Sequence, residues 1–139
     1  MNSTAHSATE NRTTTDIAIA LYSAFAAGDL DALKANLAED FVLHVPGHQP
    51  LTGDHHGPDG FIEFLAASRA ATDDGERLEL VEVLGGDRFA AGYCRITGER
   101  EGRQPLDNTT LHLMRIEGGL VREVWFHNWD QDNVDQFWN

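Results

Sequence analysis

Basic residues are scarce in this chain: 10 Lys and Arg stand against 23 Asp and Glu, a formal net charge of −13. Proteins that grip nucleic acid neutralise phosphates with Lys and Arg. Neither nucleic acid nor an anionic membrane is therefore an expected partner, and the surplus acid favours solubility. Cysteine is nearly missing. The single Cys94 excludes an internal disulfide and a Cys-based zinc site, and its reducing setting is expected to be the cytoplasm. No run approaches the roughly 18 apolar residues of a membrane span. No glycine-rich phosphate or dinucleotide loop is visible, so no organic cofactor is expected.

What is present suits one domain. The chain has 139 residues, 41% of them hydrophobic, with seven Phe, three Trp and two Tyr. That fills a single core. The Ser-, Thr- and Asn-rich stretch Met1 to Thr14 has no basic start and no apolar core of a signal peptide; it reads as a flexible leader to a domain over 15–139.

Asp16 is placed to cap a helix whose apolar stripe is Ile17, Ala20, Leu21, Ala24 and Phe25, with Gly28 as its stop. Asp29 then caps a short second helix through Leu30, Leu33 and Leu37. A strand follows over Phe41 to Val45 and ends at Pro46-Gly47, before a loop to Gly57 with at most a short strand near Leu51. Pro58 opens a third helix carrying Phe61, Ile62, Phe64 and Leu65, broken by Asp73-Asp74-Gly75. The rest reads as an antiparallel meander of strands over Leu78–Leu84, Arg88–Glu99, Leu106–Ile116 and Leu120–Asn128, joined by glycine-rich turns. Asp130 to Asn139 is an acidic tail with Phe137 and Trp138. Three helices gathered ahead of a curved, mainly antiparallel sheet make an α+β cone, a natural pocket for a small organic molecule.

Three segments resemble one family. Tyr22 to Gly47 (YSAFAAGDLDALKANLAEDFVLHVPG), Pro50 to Leu65 (PLTGDHHGPDGFIEFL) and Arg115 to Asn139 (RIEGGLVREVWFHNWDQDNVDQFWN) are similar to the opening, the middle loop and helix, and the closing hairpin and tail of SnoaL-like and ketosteroid isomerase-like proteins, of the NTF2-like superfamily. The resemblance implies an NTF2-like cone and, often, a homodimer through the outer sheet face. It does not carry steroid isomerisation across. The base Asp that those isomerases place before a Pro is Val45 here, before Pro46. Their donor tyrosine aligns with Leu21, one residue from Tyr22, and their protonated acid with His112. The Arg-x-Asp of limonene-epoxide hydrolase relatives meets Arg95-Ile96-Thr97, which lacks the acid.

Strand alternation groups Asn108, Thr110, His112 and Met114 on one face, mixed as a pocket wall is. The resemblance turns that face inward, together with Val124, Phe126 and Asn128, and leaves Glu123, Trp125 and His127 outside. His112 is then the candidate acid–base or polarising group, because imidazole titrates near neutrality. His44 at the pocket mouth is a second candidate. Tyr22, Asn128, Phe126, Thr110, Met114 and Val45 are candidate substrate contacts. The adjacent His55 and His56 point opposite ways on extended backbone, and no His-Glu-x-x-His accompanies them, so no metal is expected. Two functions stay open: an isomerase, cyclase or dehydratase acting by proton transfer, and a non-catalytic ligand-binding or assembly domain. Cys94 reads as a small buried hydrophobe.

Overall fold

The computed structural model describes residues 12–139, and residues 1 to 11 of the expected leader lie outside it. The first helix, α1 (Thr14–Ala27), starts two residues before the expected cap. Thr13 is the N-cap, its hydroxyl accepting from the Asp16 amide while the Asp16 carboxylate accepts from the Thr13 amide. This reciprocal box satisfies two amides that the first turn otherwise leaves unbonded. Thr14, counted in the expected leader, is buried and donates to the Gly86 carbonyl at 2.6 Å. Gly28 stops the helix in the left-handed conformation, φ +66°, and Asp29 caps α2 (Leu30–Ala35) by accepting from the Ala32 amide.

The chain then runs β1 (Leu37–Val45), β2 (Gly53–His56), α3 (Gly57–Ala70), β3 (Arg77–Gly85), β4 (Phe89–Gly98), β5 (Leu106–Glu117), β6 (Leu120–Asn128) and α4 (Gln131–Trp138). The six strands form one open sheet in the order β2-β1-β6-β5-β4-β3. Only β1 and β6 are parallel; the other neighbours are antiparallel. Register shifts at Leu37/Val42, Leu80/Glu82 and Arg115/Ile116 are irregularities of the kind that bends and twists a sheet. The core lies between the concave face and the helices: Ile17, Leu21, Leu33, Phe41, Leu43, Phe64, Met114 and Val124 pack together there.

Three expectations change. Only two helices precede the sheet; the third lies between β2 and β3, and a fourth closes the chain. The first strand begins at Leu37 rather than Phe41, and the short strand of the following loop is Gly53–His56 rather than near Leu51. The acidic tail is helical. Asp130 accepts from the Asn133 amide as its cap, and Val134, Phe137 and Trp138, at helical spacing, bury one face against Leu106.

Candidate functional site

β5 alternates strictly, with Leu106, Asn108, Thr110, His112, Met114 and Ile116 buried and the residues between them more exposed. Leu106, Asn108, Thr110, His112 and Met114 of this row form the floor of a cavity of about 120 Å³ between the sheet and helices α1, α3 and α4. Its lining is mainly apolar, with Phe25, Phe61, Phe64, Leu65 and Leu78 among the contributors. Tyr22, Val45, Thr110, His112, Met114, Phe126 and Asn128 all line it. Among the described residues no Lys or Arg does, and Glu76 is the lone carboxyl.

His112 sits at the best-defined polar point. Its Nδ1 is 2.8 Å from the Tyr22 hydroxyl. The Cys94 thiol lies 3.6 Å from the same hydroxyl and donates to it. Burial raises the Tyr22 pKa, with the neighbouring Cys94 adding to the effect, so the phenol keeps its proton. Burial likewise holds Cys94 as a thiol. Sulfur is a weak acceptor, so the phenolic proton is best placed on Nδ1. Hydrogen-bond direction thus runs from Cys94 to Tyr22 to His112, and the imidazole proton is left on Nε2. Burial also lowers the His112 pKa to about 4. The ring is therefore neutral at physiological pH. Among the described residues Nε2 has no hydrogen-bond partner, and the ring forms part of the cavity wall. Phe126 fixes the ring plane from below, with centroids 4.4 Å apart.

Room for this pair comes from Gly92, which faces His112 across the β4–β5 ladder. A Cβ at Gly92 would fall within the van der Waals envelope of the Tyr22 ring and hydroxyl. A glycine inside a strand costs stability but admits a close approach.

Asn128 lines the cavity, but its amide is engaged. Its Oδ1 accepts from Asn108 Nδ2 at 2.9 Å and its Nδ2 donates to Gln131 Oε1 at 3.0 Å, which ties the end of β6 to α4. Thr110 donates to the His127 carbonyl at 3.2 Å.

His44 does not join this group. On β1, Phe41, Leu43 and Val45 are buried toward the core, and His44 alternates to the opposite face. There it bridges Asp54 Oδ1 at 2.8 Å and Glu123 Oε2 at 2.6 Å, and stacks on Trp125 with centroids 5.3 Å apart. Arg115 donates to the other Glu123 oxygen at 3.1 Å. Burial acts to lower the His44 pKa, but the bonds to Glu123 and Asp54 outweigh it and the net shift is upward. Both ring nitrogens then donate. The pocket-mouth role expected for His44 fails because its partners come from β2 and β6 on the convex face.

The other histidines are occupied locally or peripheral. His55 Nε2 donates to the Leu51 carbonyl at 2.9 Å. The His48 backbone bonds Asp135 and Asn139. His56 is the N-cap position of α3 and makes no side-chain cap. Among the described residues no three His, Cys, Asp or Glu are grouped to hold a metal ion. No helix there is long and apolar enough to cross a membrane.

The residue that the sequence reading overlooks is Glu76. It lines the cavity at the start of β3, beside Leu78, and accepts from the Ser68 hydroxyl of α3 at 2.8 Å. Burial raises its pKa, and the Ser68 bond offsets only part of that.

Comparison with known proteins fits this geometry. The sequence profile of the family described as "SnoaL-like domain" matches residues 18–124. The chain belongs to the SnoaL-like family. Among solved structures it is similar to Bal32a, from a soil-derived mobile gene cassette: 27% identity, TM-score 0.85, 91% of this chain and 96% of that one covered. It is similar to wild-type IdmH, a candidate polyketide cyclase from Streptomyces antibioticus: 25% identity, TM-score 0.68, 88% and 94% covered. An NTF2-like protein from Burkholderia thailandensis shares the fold at 19% identity and TM-score 0.81, with 92% and 98% covered. No curated protein sequence matches the chain. The α+β cone of this SnoaL-like protein is thus an NTF2-like fold.

Proposed function

We propose that the cavity takes a neutral, largely apolar organic molecule bearing a carbonyl, and that His112 polarises that carbonyl for a proton-transfer reaction of the isomerase, cyclase or dehydratase type. The observation that carries this reading is the Tyr22–His112 bond of 2.8 Å at the wall of an apolar cavity. A neutral imidazole whose Nδ1 is satisfied offers Nε2–H as a donor. In a site with little water, a preorganised donor stabilises the negative charge that builds on a carbonyl oxygen as an adjacent proton leaves. The absence of Lys and Arg from the lining supports a neutral ligand. Family membership and the likeness to a candidate polyketide cyclase support the same class.

A second reading, binding without catalysis, is favoured by one fact. His112 and the single lining carboxyl, Glu76, lie at well-separated rows of the sheet, so no carboxylate base stands beside the donor. One experiment addresses both readings. Calorimetric titration with 4-acetylbiphenyl is expected to show binding that weakens about tenfold in His112→Phe, the loss of one hydrogen bond to a buried group. Exchange of the acetyl protons for deuterium is expected to be faster with the native protein than with the variant. Binding without exchange selects the second reading. No binding contradicts both, and binding indifferent to residue 112 contradicts the carbonyl-polarising role of His112.

The partner surface is a separate part of the proposal. Trp125, half-buried and stacked on His44, lies on the convex face, and we place a homodimer contact there. The lone buried thiol supports a cytoplasmic setting.

A further inference from the structure

We propose that Glu76 is the second polar anchor of the cavity, accepting a hydrogen bond from a hydroxyl at the far end of the same ligand whose carbonyl meets His112. The inference rests on the carbonyl-binding reading above and adds the ligand's other end: an elongated hydroxy-ketone.

The sheet register sets the separation. A Cβ at Gly98 would stand 3.6 Å from both Cα and Cβ of Glu76, so Glu76 lies on the row where Gly98 pairs with Leu106. His112 pairs with Gly92, six residues further along both strands. Six residues of strand measure about 20 Å, less the curvature of the sheet and the inward reach of the two side chains. A linear two-ring skeleton with a polar group at each end is of the length that this separation calls for. The wall between the two anchors is apolar or self-satisfied. Leu78 and Ile96 offer hydrocarbon, and the Asn108–Asn128 amides already bond each other, Gln131 and the Asp130 amide.

Glu76 differs from those amides. Its Oε1 holds the Ser68 hydroxyl, while Oε2 has no partner among the described residues. A carboxyl beside Leu78 and Leu106, with no Lys or Arg in the lining, is a costly thing to keep in a cavity unless something bonds it. A tie between α3 and β3 alone needs only one oxygen. The second oxygen of the ionised carboxylate accepts from a neutral hydroxyl, because a carboxylate oxygen is an acceptor only.

The test uses three probes with one skeleton: 4-acetylbiphenyl, its 4′-hydroxy derivative and its 4′-methoxy derivative, which has lost the donor. Each is titrated calorimetrically into the native protein, Glu76→Gln, Glu76→Leu and His112→Phe. The native protein is expected to bind the hydroxy compound about tenfold tighter than the other two, one added hydrogen bond. Glu76→Gln keeps an acceptor and is expected to retain part of that preference; Glu76→Leu is expected to erase it while leaving 4-acetylbiphenyl affinity unchanged or improved. His112→Phe is expected to weaken all three equally. If the three probes bind the native protein alike, or if the hydroxyl preference survives in Glu76→Leu, the Glu76 inference is overturned while the carbonyl reading stands. If none binds the native protein, both are overturned. A merely structural Glu76 predicts altered stability with no hydroxyl preference.

Discussion

His112 is at once a buried histidine and a free donor, and the two properties have one cause. Burial drives its pKa to about 4 and so keeps it neutral, while Tyr22 fills Nδ1 and leaves the proton on Nε2. A two-bond 1H–15N spectrum is expected to show the Nε2–H tautomer unchanged from pH 6 to 8. Tyr22→Phe removes the bond, and is expected to mix the tautomers and cost about 1–3 kcal/mol in denaturant melts, the penalty of an orphaned buried acceptor. The linkage sign follows from the depressed pKa. The unfolded chain, with a His pKa of about 6.5, binds the proton first, so the His112 contribution to stability is present above that value and falls as pH drops toward 4. At 1.36 kcal/mol per unit the loss amounts to roughly 3 kcal/mol, and His112→Phe is expected to flatten the stability profile in that window. In the sequence, strand alternation groups this residue with Asn108, Thr110 and Met114, and the family resemblance turns that face inward, as the buried face of β5 is in the structure. The hydroxyl that defines its tautomer is harder to read, since Tyr22 lies 90 residues away and depends on the notch at Gly92.

Elements explain why the second histidine departs from its expected role. His44 sits one residue from Val45, and a single step along a strand reverses the face. Its partners Glu123 and Trp125 lie on β6, a parallel neighbour that no local pattern announces. On the convex face the network has its own pH signature. The raised pKa of His44 makes its contribution full below about 6.5 and lost as pH rises through the folded value. Glu123, whose pKa is lowered first by His44, contributes above about 4.3 and is lost as pH falls through its own folded value. His44→Leu is expected to abolish the alkaline part of the decline, and a melt series at fixed ionic strength from pH 5 to 9 reads it. Helix α4 was legible in principle: Asp130 as a cap and Val134, Phe137 and Trp138 at helical spacing are the signals, obscured by the acidic composition between them. Glu76 is obscured differently. Following Asp73-Asp74-Gly75, it reads as one more turn charge, and only pairing with β4 turns it inward. At the α1–α2 turn, Gly28 adopts φ +66° with open space around it, so Gly28→Ala is expected to fold normally with a loss of about 1–2 kcal/mol, set by backbone strain alone.

For the whole molecule, the sheet gathers residues from both halves of the chain into one cavity whose only ionisable lining groups, among the described residues, are Tyr22, Glu76 and His112. The α+β class follows from the order of elements and their period, and the inward face of β5 and β6 from the family resemblance. The size, hydrocarbon character and polar end-points of the hollow come from long-range pairing. The convex face, with Trp125 upon it, predicts a dimer: sedimentation at micromolar concentration is expected to give twice 15.4 kDa, and Trp125→Lys is expected to shift it to monomer. The most direct measurement for the cavity itself is the carbonyl resonance of 4-acetylbiphenyl labelled with 13C at the ketone, bound to native protein and to His112→Phe. A donor at Nε2 predicts a downfield carbonyl shift in the native complex that disappears in the variant. An identical carbonyl resonance in the two complexes would contradict the account.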